Sequence, residues 1–212
     1  MSCANCGKGE EESSSLKSCA ACMLVKYCSR DCQIAHRPQH KNACKKRAAE
    51  LYDEKLFKEP PPPEECPICM LPLPEDKEVT FESCCGKEIC NGCIYSMCDR
   101  EGIMPPCAFC RTPNVTSEEQ AVERMKKMVE KGNAQAMNNL GAMYADGYSI
   151  LPQDWAQANS LYLKAGELGY SAAYYNVGLC CAKGTGAEID MKKAKHYYEL
   201  AALNGSLYAR YN

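Results

Sequence analysis

The stretch NNLGAMYADGYSILPQDWAQANSLYLKAGELGYSAAYYN, residues 138–176, aligns with YNVGLCCAKGTGAEIDMKKAKHYYELAALNGSLYARYN, residues 175–212, as two copies of one unit. Gly141 meets Gly178, Gly147 meets Gly184, and Asp154 meets Asp190. Ala158, Tyr162, Ala165, Gly169 and Ala173 recur as Ala194, Tyr198, Ala201, Gly205 and Ala209. The offset is 37 early and 36 later, a slip that falls in the loop between Gly147 and Asp154. A repeat of this period predicts two antiparallel helices per unit, with small residues where they cross and glycine ending each helix. Upstream, AVERMKKMVEKG places Ala121, Met125, Met128 and Gly132 in register with Ala158, Tyr162, Ala165 and Gly169, as the second helix of a degenerate first unit. The chain stops at Tyr211 and Asn212, inside what would be the first helix of another unit. Because each unit of a solenoid exposes an apolar face to the next, this ending reads as a fragment or truncated product.

The front half is built on a different principle. Of 18 cysteines among 212 residues, all but Cys180 and Cys181 lie between Cys3 and Cys110. A segment poor in core-forming aliphatics and rich in thiols is how a small domain looks when metals or disulfides replace a large core. The start, MSCANCGK, has no basic and apolar leader, so the expected compartment is the reducing cytosol or nucleus, where thiols stay available for zinc. Repeated C-x2-C pairs let two sulfurs of one tight turn reach one tetrahedral ion. No apolar run approaches the roughly eighteen residues of a membrane helix. A formal net charge of -2 gives little reason to expect nucleic acid. Fifteen thiolates around four dications would add about seven negative charges.

Cys3, Cys6, Cys19, Cys22, Cys28, Cys32, His40 and Cys44 form C-x2-C-x12-C-x2-C-x5-C-x3-C-x7-H-x3-C, eight ligands suited to two tetrahedral zinc ions. KYCSRDCQ followed by HKNAC, residues 26–33 and 40–44, resembles the MYND finger, a protein-interaction module that takes short proline-containing peptides. The resemblance implies Cys3, Cys6, Cys28 and Cys32 on one ion, and Cys19, Cys22, His40 and Cys44 on the other. Arg37 stands where many members carry Trp, a departure that touches the surface the Trp helps to form. His36 falls outside the ligand register and is expected to be exposed; His196 reads as structural. Lys45, Lys46 and Arg47 read as a solvated helix start rather than a nuclear signal. The amphipathic AAELYDEKLFKE then runs into Pro60, Pro61, Pro62 and Pro63, which favour a stiff extended spacer.

The next segment gives Cys66-x2-Cys69-x14-Cys84-Cys85-x4-Cys90-x2-Cys93-x13-Cys107-x2-Cys110. Four pairs again call for two ions, and alternate pairing assigns Cys66, Cys69, Cys90 and Cys93 to one and Cys84, Cys85, Cys107 and Cys110 to the other. This resembles a RING finger in an all-cysteine variant. In one register the direct neighbours Cys84 and Cys85 both reach one ion through a tight backbone turn. In the other, Cys85 takes the third position, Lys87 stands where His is common, and Cys84 or Cys98 completes the site or the second ion is absent. A protonated Lys is no zinc ligand. The resemblance implies docking of a ubiquitin-conjugating enzyme by Ile68, Met97, the Pro105–Ala108 stretch and Arg111, the last donating several hydrogen bonds at once. Ala108 departs from the Pro that many active members carry. Cys180 and Cys181 read as small apolar packing, Cys181 aligning with Tyr144.

The repeat segment resembles the Sel1-like repeats, relatives of the tetratricopeptide family, which implies an α-solenoid that binds other proteins. The expected organisation is multidomain: a MYND-type finger at 1–46, a helix and proline-rich linker at 47–63, a RING-like finger at 64–116 and helical repeats at 117–212. Two small zinc-stabilised cross-brace fingers, α+β with little regular structure, thus precede an all-α solenoid. No G-x-S-x-G, phosphate-cradling loop or catalytic carboxylate arrangement competes. Two functions follow: a zinc-dependent protein-interaction scaffold, and a RING-type ubiquitin ligase that selects substrate through its other modules.

Overall fold

The computed structural model describes residues 1–9, 16–59, 62, 64–74, 78–98, 103–148, 150–186 and 188–211. Pro60, Pro61, Pro63 and Asn212, on which the spacer and chain-end readings fall, lie outside them. The chain divides into two compact units, Met1–Lys58 and Glu59–Asn212.

In the first unit a two-residue ladder, β1 (Lys17–Ser18) against β2 (Lys26–Tyr27), precedes a 27-residue helix α1 (Arg30–Leu56). The Ser29 side chain caps α1 by accepting from the Cys32 N–H at 3.2 Å. The helix continues through residue 46, where the sequence reading placed a domain boundary. Beyond Cys44 the residues KKRAAELYDEKL are strong helix formers, and Arg47 donates to Glu50 at 3.1 Å and Glu54 at 2.8 Å. Nothing stops the helix before Phe57. The core here is small: Cys3, Cys19, Cys22 and Tyr27, with Leu16 and Val25 packed against them.

In the second unit, the antiparallel hairpin β3 (Val79–Glu82) and β4 (Lys87–Cys90) leads into α2 (Asn91–Met97). Cys66, Leu73, Ile89 and Ile94 form its core. Five 13-residue helices follow: α3 (Glu118–Glu130), α4 (Ala134–Asp146), α5 (Trp155–Glu167), α6 (Ser171–Lys183) and α7 (Met191–Leu203), then a 3-10 turn at Tyr208–Tyr211. Asp154 and Asp190, aligned in sequence, cap α5 and α7 by accepting from the N–H of Gln157 and of Lys192 and Lys193.

Glycine is required at two equivalent crossings. A Cβ on Gly141 would lie 2.7 Å from the Tyr162 ring, and one on Gly178 would lie 2.6 Å from the Tyr198 ring. One core runs through the stack, with Val122, Leu140, Ala158, Tyr162, Ala173 and Val177 among its members. Asn176 donates to Asn138 at 2.8 Å, tying successive units. Cys180 is buried, and Cys181 is half-buried against the same core.

The second finger and the repeats form one unit rather than two, because the β3–β4 turn abuts the first helices. A Cβ on Gly86 would stand 2.8 Å from Met128 Cε and 3.0 Å from Asn133 Nδ2. Gln135 donates to Glu88, and Arg124 donates to the Pro113 carbonyl at 2.8 Å.

Candidate metal centres

Four short loops shape half of the ligand set by the same backbone device. In four of the five C-x2-C pairs the residue after the second cysteine donates its N–H to the carbonyl of the first at 2.9 Å: Gly7 to Cys3, Met23 to Cys19, Met70 to Cys66 and Arg111 to Cys107. All four adopt the left-handed region, at φ 76, 55, 58 and 57°. The N–H of each first cysteine is also held, Cys3 by Lys8, Cys19 by Val25, Cys66 by Leu71 and Cys107 by Thr112. Each turn thereby brings both sulfurs to one side. Sequence reading missed this conformation because only Gly7 advertises it; Met and Arg seldom accept positive φ.

The partners come from more regular elements. Cys28 and Cys32 flank the start of α1, and His40 and Cys44 follow on the same helix one turn apart. Cys90 and Cys93 bracket the start of α2. Cys84 and Cys85 occupy the hairpin turn, where the Cys85 and Gly86 N–H groups donate to the Glu82 carbonyl at 3.1 and 2.7 Å. That tight turn lets adjacent side chains converge.

The ligand atoms gather into four groups, each with all atoms within 4.8 Å of one another. Cys3 and Cys6 meet Cys28 and Cys32; Cys19 and Cys22 meet His40 and Cys44; Cys66 and Cys69 meet Cys90 and Cys93; Cys84 and Cys85 meet Cys107 and Cys110. In both fingers the pairs interleave along the chain, so each forms a cross-brace. A zinc–sulfur bond near 2.3 Å at the centre of a tetrahedron implies sulfur separations of about 3.8 Å. Cys66–Cys93, Cys69–Cys90 and Cys85–Cys107 stand at 3.8 Å, Cys19–Cys44 at 3.7 Å and Cys28–Cys32 at 3.6 Å. Cys22 Sγ lies 3.1 Å from His40 Nε2, and Cys84 lies 3.3 Å from Cys110. Donor type, number and spacing fit zinc at all four places. Four protein ligands leave no position for water, so the ion would supply structural cross-linking.

Without a dication such groups cannot all ionise. Backbone N–H groups of Cys6 and Cys28 bring the Cys3 thiol down to about 6, whereas hydrogen bonding to Cys6 and Cys32 pushes Cys28 up to about 12. In the fourth group the Thr112 hydroxyl and N–H bring Cys110 down to about 6, while burial and then Cys110 itself push Cys84 up. In both groups some thiols are drawn toward the thiolate while a neighbour is held protonated, and a bound cation removes that conflict.

Cys98 and Lys87 stay apart from this chemistry. Cys98, an alternative fourth-site ligand in the sequence, turns its thiol to the Ile94 carbonyl at 3.4 Å. Lys87, at the expected histidine position, lies over the Phe109 ring at 4.7 Å. His36 is half-buried rather than exposed: its Nδ1 is 3.1 Å from the Tyr27 hydroxyl, and its ring stacks on His40 at 5.7 Å. Helical spacing of four residues was the available signal. Ile68 and Arg111 are exposed on two different C-x2-C turns, whereas Met97 packs inward against the second finger's core. Pro105 is half-buried and its carbonyl accepts from Asn114 at 3.0 Å.

Comparison with known proteins assigns the flanking modules. Residues 3–44 match the family model of the MYND finger, and residues 134–170 and 171–206 each match the Sel1 repeat. The chain carries a MYND finger and Sel1 repeats. The curated DAP3-binding cell death enhancer 1 of Rattus norvegicus is 37% identical over 82 residues, 39% of this chain. The match spans 15% of that relative's length. A Sel1 repeat protein from Oxalobacter formigenes shares 28% identity over 46% of this chain and 40% of its own, at a TM-score of 0.44. A protective antigen of uropathogenic Escherichia coli with an SLR fold shares 34% identity over 45% of this chain and 19% of its own, at 0.40. MYND fingers and Sel1 repeats are protein-interaction modules, and their presence beside four zinc-compatible clusters supports a zinc-binding interaction scaffold.

Proposed function

We propose that the scaffold is an adaptor whose sixteen clustered ligands hold four zinc ions, whose MYND finger takes a short proline-containing segment, and whose Sel1 helices take a second protein. The observation that carries the peptide reading is a groove along α1, lined by Ile34 and Arg37 beside the centre of Cys19, Cys22, His40 and Cys44. Ile34 is 58% exposed there, an apolar contact with no internal purpose. The zinc-loaded chain should therefore bind a proline-rich peptide in calorimetry and lose it on Ile34→Asp with its zinc count unchanged. Equal binding by that variant rejects the groove. The reading places the adaptor in the cytosol or nucleus, with proteins rather than nucleic acid or membrane as partners; among the described residues no helix is long and apolar enough to cross a membrane.

A second reading, a RING-type ubiquitin ligase, is supported by the interleaved second finger and by exposed Ile68 and Arg111 on its two outer turns. Its action would be positional, holding a ubiquitin-conjugating enzyme and its charged ubiquitin in a reactive pose. Such a ligase discharges ubiquitin from a charged conjugating enzyme and stops doing so as Ile68→Ala or Arg111→Ala, both still zinc-loaded. Absence of discharge across a panel of conjugating enzymes leaves the scaffold alone.

A further inference from the structure

Arg30, Arg37, Lys41 and Lys45 follow one another on α1 at steps of seven, four and four residues, so they share one face. All four are exposed and line the groove of the MYND finger. Among the described residues none of them has an ion-pair partner, whereas Arg47, just beyond the groove, is held by Glu50 and Glu54. Among the described residues no carboxylate lines the groove, although Asp31 lies on the same helix. Neutralising the metal centre below does not account for the row: a dication with three thiolates and one imidazole leaves about one negative charge, against four cations.

We infer that this groove selects acidic peptides: an extended segment whose apolar side chain rests on Ile34 and whose flanking Asp or Glu residues meet the four cations. The inference rests on the peptide reading of the groove and specifies its partner. Ile34 stands between Arg30 and Arg37, so the cationic row is broken by an apolar step that matches alternating acidic and apolar side chains. A nucleic-acid strand is the poorer fit, since one row of four cations interrupted by isoleucine neutralises few phosphates.

The test uses the zinc-loaded full chain and fluorescence polarisation with three labelled probes: EEDPPLPEDE, its amide counterpart QQNPPLPQNQ, and its basic counterpart KKRPPLPKRK. The acidic probe is expected to bind at least about tenfold more tightly than the amide probe at low salt, with the advantage shrinking as salt rises. Arg37→Glu combined with Lys41→Glu should reverse the order and favour the basic probe; Arg37→Gln with Lys41→Gln should abolish the preference while zinc content and helical circular dichroism stay unchanged. Equal affinity for acidic and amide probes overturns the inference and leaves the groove a peptide site. Binding of no probe overturns both. A single-stranded oligonucleotide of about twenty residues that outcompetes the acidic probe overturns it in favour of phosphate recognition.

Discussion

Met23, Met70 and Arg111 hold a backbone conformation that ordinarily costs an L-residue roughly 1–2 kcal/mol. Each does so because its N–H closes a turn around a sulfur pair, so the strain is offset by metal-ligand geometry. Met70 is 66% exposed, and its replacement sacrifices little packing. Met70→Gly is therefore expected to raise the stability of the zinc-loaded finger by up to about 1 kcal/mol in denaturant titration, with zinc content unaltered. The adjacent cysteines make a sharper case. Native mass spectrometry of the full chain should show one zinc fewer for Cys84→Ala and the wild-type count for Cys98→Ala; the opposite pattern removes Cys84 from the fourth centre. Ligand spacing was legible in the sequence because C-x2-C reports a turn length. The choice among Cys84, Cys85 and Cys98 was not, because it depends on a hairpin turn that Glu82 closes through its carbonyl.

Helices tell a complementary story. Recurrent glycine, alanine and aspartate located the repeat helices well, since each answers to a fixed demand: a crossing, a buried seam, a cap. Gly178 answers to a crossing, with the Tyr198 ring where a Cβ would go. Gly178→Ala should cost about 1–3 kcal/mol in thermal unfolding despite alanine's better helix propensity, and Tyr198→Leu in the same chain should recover part of it. Asp154→Ala should cost about 1 kcal/mol through the lost cap on α5. The length of α1 escaped the sequence reading. Its apolar periodicity is weak, Pro38 sits inside it, and only His40 along it is buried. What fixes such a helix is its ligands and its Arg47 ion pairs, which leave no hydrophobic stripe to read.

At the scale of the chain, the modular order was visible in the uneven placement of cysteine, but the fusion of the second finger with the solenoid was not. It rests on a side-chain vacancy at Gly86 and on Glu88 receiving Gln135, neither of which has a periodic signature. Because the turn that meets α3 and α4 also carries Cys84 and Cys85, chelation should speed amide hydrogen exchange in α3 and α4 more than in α6 and α7. Uniform exchange across the five helices would uncouple the finger from the repeats. The long helix of the first unit has a different collective consequence. Cys32, His40 and Cys44 lie on one rod, so the ion that first fixes its opening turn meets the nucleation cost for the whole helix and delivers the second pair already in register. Metal uptake by this finger is then all-or-none, and zinc titration should pass from empty to doubly loaded with scarcely any singly loaded species between.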